Sequence, residues 1–201
     1  MYNFTFNIPT KIHFGKDTIS NLSELKAYGS KVLLVYGGGS IKKNGLYDTA
    51  MKILKDAGLI VFELSGVEPN PKIETVRKGV EICKNEGIDM VLAIGGGSTI
   101  DCSKVVAAGA KYDGDAWDLV LDGSKVKAAL PIFVVLTLSA TGTVMDSFAV
   151  ISDMSKNEKW GTGSPYMVPT MSILNPEYTF SVSKKQTAAG TADMMSHTME
   201  N

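Results

Sequence analysis

Apolar residues fall along this chain in short β-branched runs, and several of these runs lead into a longer stretch with helical spacing. The opening "FTFNIPTKIHFG" alternates apolar and polar positions around 7–9, which predicts a small hairpin or an edge strand. "KVLLVYGGGS" reads as a buried strand running into glycines. In "KNGLYDTAMKILKDAG" the residues Leu46, Ala50, Ile53, Leu54 and Ala57 recur at helical spacing, with Gly58 placed to cap the end. "LIVFEL" is a strand, and "PKIETVRKGVEICKNEG" is a helix with Pro71 suited to its first turn and Gly87 closing it. "IDMVLAIGGGS" repeats the strand-to-glycine pattern, and the helix after it carries Cys102 to Ala108. The stretch 111–128 is polar and reads as mobile. A strand follows at "PIFVVLTL", with extended segments near 147–152 and 171–174.

This alternation, with apolar and β-branched strands, predicts the α/β class: a parallel sheet with helices on both faces. The last segment, "SVSKKQTAAGTADMMSHTMEN", predicts a helix with Ser183 as N-cap and Gln186 at capping-box spacing. No glycine, proline or basic last turn closes it, so the expectation is an element cut through its middle.

Composition narrows the class. The 201 residues suffice for one full domain and the start of another, and 44% apolar residues can build a core. A net charge of −1, with no basic cluster interleaved with aromatics, argues against nucleic acid or an anionic membrane as partner. Cys83 and Cys102 lie in helical segments without framework spacing, as reduced buried thiols do. The N-terminus lacks the pattern of a signal peptide, and "ALPIFVVLTL" is too short to cross a bilayer. The expectation is a soluble, cytoplasmic protein.

Two turns carry candidate chemistry. "YGGGSIKKNG" and "IGGGSTIDCSK" both place GGGS after a strand and before a helix. Glycines let the backbone approach a phosphate, and the N–H groups that open the following helix point at the anion. At the carboxyl ends of parallel strands, both turns would sit where open α/β sheets bind ligands. A tight turn with close strand–helix packing is the other reading, and neither turn is the GxGxxG fingerprint. Asp101 and Lys104 follow the second turn at fixed offsets, although an aspartate near a helix start also serves the dipole. After the first turn no carboxylate is available for a ribose hydroxyl, while Ser40, Lys42 and Lys43 are near. That arrangement suits a 2′-phosphate and favours NADP(H) over NAD(H), unless the lysines are merely solvated. "LTLSATGTVMDS" sets Thr137, Ser139, Thr141 and Thr143 around Gly142, either for phosphate or ribose or as a self-bonded polar turn. Asp193 and His197 stand four residues apart on the last helix, a spacing for two metal donors or for a surface ion pair.

Together these stretches resemble the iron-containing alcohol dehydrogenase family, and more closely its NADP-dependent butanol dehydrogenase-like branch. The matching residues are "FGK", "YGGGSIKKNGLYD", "GVEPNP", "GGGSTIDCSK", "TLSATGT", "FAVIS" and "AAGTADMMSHTMEN", in that order along essentially the whole chain. The resemblance implies a Rossmann-like dinucleotide-binding domain over 1–177. Residues 178–201 would begin an all-helical metal-binding domain, with most of that domain missing.

It further implies interconversion of primary alcohols and aldehydes, with a divalent metal, Fe²⁺ or Zn²⁺. The cofactor pyrophosphate would lie against Gly95, Gly96, Gly97 and Ser98, with Asp101 close by. Gly38, Gly39 and Ser40 would take the adenosine-ribose end, Thr137 and Thr141 would contact the cofactor, and Lys159 would reach toward it. Asp193 and His197 match the aspartate and first histidine of a four-ligand metal site, while His13 matches no ligand. Val144 stands where the family often has glutamate.

With two of four ligands, the chain is expected to hold metal poorly and to be an inactive cofactor-binding portion of a small-molecule oxidoreductase. Met194, Met195 and Met199 would be left uncovered unless the face frays, folds back or pairs with another chain, as in a homodimer. The competing readings are a non-catalytic dinucleotide-binding protein and a relative of glycerol dehydrogenase or dehydroquinate synthase.

Overall fold

The computed structural model describes residues 3, 5 and 7–200. A six-stranded parallel sheet forms its centre, built from β1 (Lys11–Phe14), β2 (Lys31–Tyr36), β3 (Ile60–Leu64), β4 (Met90–Gly95), β5 (Ile132–Leu136) and β8 (Met171–Leu174). Their spatial order is β1-β8-β5-β4-β2-β3. Helices α1 (Ser40–Lys43) and α2 (Leu46–Asp56) follow β2, α3 (Ile73–Glu86) follows β3, and α4 (Gly97–Gly109) and α5 (Ala116–Leu121) follow β4. An antiparallel hairpin of β6 (Phe148–Asp153) and β7 (Glu158–Gly163) stands apart from the sheet, and α6 (Lys184–Glu200) comes last.

The strands are apolar at consecutive positions because both faces are covered. Leu33, Val35, Val91, Ala93, Ile132 and Val134 point into one core, under α3, α4 and α5. Val32, Leu34, Leu92, Ile94, Phe133 and Val135 point into the other, with Leu46, Ala50 and Leu54 of α2. Ile19, Leu22 and Leu25 of a 3₁₀ helix at Thr18–Tyr28, an element the sequence pattern did not disclose, complete that second core. The register pairs like with like: Leu33 faces Val91, and Val91 faces Ile132.

Helices α3 and α4 meet through two reciprocal notches. A Cβ on Gly79 would lie 2.7 Å from Val106 Cγ2, and one on Gly109 would lie 2.6 Å from Val80 Cγ2. Each helix therefore seats a valine of the other where only glycine leaves room.

Several expectations change. The N-terminal segment is the edge-strand alternative: β1 pairs with β8 in parallel, while Phe4 and Phe6 lie outside the described residues. Pro71 precedes the N-cap Lys72 rather than entering the first turn of α3, and its carbonyl accepts from Ser152 N–H at 2.9 Å. The extended segment near 147–152 is a strand as expected, but it pairs with β7 in a separate two-stranded sheet and not in the parallel one. The stretch 111–128 is not an open loop. It contains α5, whose Ala116, Trp117, Leu119 and Val120 are buried in the first core.

Two interactions hold α5 in place. Asp115 caps it by accepting from Trp117 N–H at 2.8 Å, and Arg77 on α3 grips the same carboxylate through Nε at 2.8 Å and Nη2 at 3.0 Å. Replacing Asp115 with alanine should destabilise the chain by about 1 kcal/mol, the usual worth of an N-cap, as read by urea unfolding at neutral pH. The Arg77 guanidinium, then the Trp117 N–H, holds the Asp115 carboxyl below its ordinary value against burial. This contribution is present above the unfolded carboxyl pKa and vanishes as pH falls through the folded one. The difference between wild type and Asp115→Ala should therefore narrow in acid, and a constant difference down to strongly acidic pH would contradict this account.

Candidate functional site

The order in which strands are added to the sheet reverses between β2 and β4. From β2 the chain leaves to the face of α2, and from β4 it leaves to the opposite face with α4. Adjacent parallel strands whose connections depart to opposite faces open a crevice at their carboxyl ends. Both GGGS turns lie there, and the strand on the far side of β4 is β5, which ends at the threonine turn. The three motifs, far apart in sequence, occupy neighbouring strand ends.

They border a cavity of about 510 Å³. Its walls include Gly38, Gly39 and Ser40 from the first turn, Gly95, Gly96, Gly97 and Ser98 from the second, and Thr137 from the third. Gly39 has φ +97°, in the left-handed region that favours glycine. A Cβ on Gly97 would lie 2.6 Å from Thr141 Oγ1, and one on Gly95 would lie 2.4 Å from Thr99 Oγ1. Thr137 N–H donates to Gly95 O at 3.0 Å, tying the third turn to the second. The opening N–H groups of a helix have no intrahelical acceptors, so the start of α4 offers donors to an anion beside a surface without side chains. No aspartate or glutamate is among the residues that line the cavity.

The remaining sequence-derived residues are placed around this cleft. Thr141 is exposed and sits against Gly97, but is not among the lining residues. Lys159 on β7 donates to Asn70 Oδ1 at 2.7 Å, and Asn70 N–H donates to Ser98 Oγ at 3.3 Å, so "GVEPNP" links the hairpin to the second turn. Asp101 does not line the cleft. Its Oδ1 accepts from Thr143 Oγ1 at 2.8 Å and its Oδ2 from Val150 N–H at 3.0 Å. Lys42 and Lys43 do not line it either. Val144, at the position where the family often has glutamate, is buried in the first core.

Behind Asp101 lies Lys104, which is fully buried. Its Nζ is held by Asp146 Oδ1 at 2.7 Å, Thr143 Oγ1 at 2.8 Å, Phe148 O at 2.8 Å and Asp146 O at 2.9 Å. Burial pushes the Lys104 pKa down, opposed by its hydrogen bond to Asp146, while burial pushes the Asp101 pKa up, opposed by the Thr143 hydroxyl. This chain of contacts joins the first turns of α4 to the threonine turn and to β6.

The sequence pattern missed part of the wall. Ser181, Val182, Ser183 and Gln186, where α6 begins, also line the cleft. The capping spacing found this helix start, and Gln186 N–H does donate to Ser183 Oγ at 3.3 Å. Nothing local placed it beside the glycine turns. Asn44, Val67, Pro69 and Leu138 also line the cleft; each lies within a segment that carries the family resemblance, but none stood out there as a site residue.

Asp193 and His197 lie further along α6, both largely exposed, with Asp193 Oδ1 3.7 Å from His197 Nε2. Glu200 Oε2 is 3.7 Å from His197 Nδ1. Among the described residues no group of three His, Cys, Asp or Glu is placed to hold a metal ion. Two exposed donors do not make a metal centre by themselves.

Comparison with known proteins agrees with this architecture. Residues 9–176 match the iron-containing alcohol dehydrogenase family. The chain is 61% identical to NADH-dependent butanol dehydrogenase A of Clostridium acetobutylicum, over all of this chain and 52% of that protein. It is 39% identical to the NADPH-dependent aldehyde reductase YqhD of Escherichia coli, again over all of this chain and 52% of the relative. Among solved structures, NADH-dependent butanol dehydrogenase A of Thermotoga maritima superposes with a TM-score of 0.94 at 48% identity, covering 100% of this chain and 51% of that one. The chain belongs to the iron-containing alcohol dehydrogenase family, and it spans about half the length of the curated relatives it matches.

Replacing Lys104 with methionine should destabilise the chain by about 3 kcal/mol, because Asp146 and two carbonyls lose a buried donor. Urea unfolding measures this. A loss below about 0.5 kcal/mol, the scale of an ordinary surface substitution, would mean the buried ammonium does not join α4 to β6.

Proposed function

We propose that this chain is the cofactor-binding part of an oxidoreductase that interconverts primary alcohols and aldehydes with a nicotinamide dinucleotide. The observation that carries the reading is the meeting of both GGGS turns and the threonine turn around one cleft at the β2–β4 reversal. In this proposal residues 1–177 form the dinucleotide-binding domain and 178–201 begin the helical one. The diphosphate lies against Gly95, Gly96, Gly97 and Ser98, where the start of α4 supplies N–H donors. The adenosine ribose lies at Gly38, Gly39 and Ser40. Thr137 and Thr141 contact the dinucleotide from the β5 side, and Lys159, oriented by Asn70, approaches it from the hairpin. Asp101 acts through Thr143 rather than by touching the ligand. Alignment of donor and acceptor with exclusion of water is the protein's contribution to a hydride transfer.

NADP(H) is favoured over NAD(H) in this proposal, because no carboxylate lines the adenosine-ribose end and Ser40 offers a hydroxyl to a 2′-phosphate. The relatives include proteins named for either cofactor, the butanol dehydrogenase of Clostridium acetobutylicum for NADH and YqhD for NADPH. Asp193 and His197 supply two donors, so the chain by itself should neither retain stoichiometric metal nor turn over substrate. Cytoplasmic residence is proposed from two buried free thiols, and among the described residues no helix is long and apolar enough to cross a membrane.

Fluorescence titration of the chain with NADPH and NADH, beside metal analysis of the same sample, tests the reading. Saturable binding of both, tighter for NADPH, with metal well below one equivalent, is expected. Gly97→Ala, whose Cβ would crowd Thr141, should weaken both dinucleotides by about tenfold, the effect of losing one close charge-assisted phosphate contact. Failure of either dinucleotide to bind the unaltered chain would sink the proposal.

A further inference from the structure

Lys42 is the cation nearest in sequence to Ser40, yet it does not line the cleft, whereas Ser40, Ile41 and Asn44 do. Helical geometry accounts for this division. At 3.6 residues per turn, positions 40, 41 and 44 share one side of α1 and its continuation, and position 42 falls on the other.

On that other side a cage receives the ammonium. Lys42 Nζ lies 5.0 Å from the centre of the Tyr36 ring and 4.5 Å from that of Tyr47, and the two rings meet edge to face at 5.8 Å. The Glu63 carboxylate on β3 is 3.9 Å away. Glu63 also fixes the cage walls: Tyr36 Oη donates to its Oε2 at 2.6 Å, and Tyr47 Oη donates to its Oε1 at 2.6 Å. Burial alone would raise the Glu63 carboxyl pKa, but the two tyrosine hydroxyls and Lys42 bring it below the ordinary value. Tyr47 is pushed up to about 12, first by its hydrogen bond to Glu63, so its phenol remains a donor at neutral pH. The cage thus combines cation–π attraction with a carboxylate whose two oxygens are already oriented.

We propose that Glu63 is a positioning residue that holds the Lys42 ammonium away from the adenosine-ribose end of the cleft, and so limits the preference for a 2′-phosphorylated dinucleotide. The inference rests on the dinucleotide reading of that cleft. It makes Lys42 a withheld cation: the long, flexible lysine stem could swing to a phosphate beside Ser40, two residues away, but the cage competes for it. Ser40 and the backbone of the first turn then receive the ribose end without that charge. The discrimination between NADPH and NADH is set by how firmly Glu63 keeps its partner.

A two-residue cycle tests this, using the ratio of NADPH to NADH dissociation constants for the full 201-residue chain. General damage to the turn weakens both dinucleotides and leaves the ratio in place. In the unaltered chain K42M should leave the ratio unchanged, because the ammonium is already occupied. E63Q keeps the shape of the cage and removes its charge, and should shift the ratio toward NADPH by roughly tenfold, the worth of one charge-assisted phosphate contact. That gain should disappear in the E63Q/K42M double variant and shrink as ionic strength rises. Two results would overturn the proposal while both dinucleotides still bind: an unchanged ratio in E63Q, or a gain that persists in the double variant. If neither dinucleotide binds the unaltered chain, the dinucleotide reading itself fails.

Discussion

The structure turns on one reversal. Strands β2 and β4 lie side by side in the sheet, but their connections depart to opposite faces, so neither connecting helix covers the gap between their carboxyl ends. Everything placed there by the sequence inherits that gap. Two glycine turns become opposite walls of one crevice, and the threonine turn becomes its extension only because β5 is the next strand. The same glycine motifs at the amino ends of these strands, or on strands separated by another, would be unrelated turns.

Holding the crevice open requires that α4 stay fixed, and two devices do so from different sides. Toward α3, the notches at Gly79 and Gly109 seat Val106 and Val80. Toward the hairpin, the Lys104 ammonium gathers Thr143, Asp146 and Phe148, while Asp101 takes Thr143 and Val150. The apolar contact sets the distance between helices, and the polar network sets the orientation of the helix start relative to the threonine turn. A fully buried cation is tolerable because its neighbours supply both charge and hydrogen bonds.

Much of this was legible in the sequence where the signal is local. Glycines after apolar strands reveal a turn that something must approach closely, and helical spacing at Leu46, Ala50 and Leu54 reveals a buried face. Features that depend on distant partners were not legible. Helix α5 is only six residues long, set among Asp and Gly, and its anchor Arg77 lies 38 positions earlier. Strand β7, "EKWGTG", has no apolar alternation and exists by pairing with β6. What receives Lys42 on its side of α1 is set by Glu63 and Tyr47, which no spacing rule connects to a glycine turn. Asp101 and Lys104 were visible as an offset pair, but their joint commitment to the threonine turn required the packing of α4 on β6.

The paired notches between α3 and α4 have a consequence for kinetics. A helix locked against its neighbour by two interlocking valines cannot slide or roll by a fraction of a turn without a clash. The start of α4 is therefore fixed in place without any ligand. A ligand that bound there would spend little entropy on ordering the protein and would meet a finished surface. Discrimination among ligands is left to differences in how long each one stays.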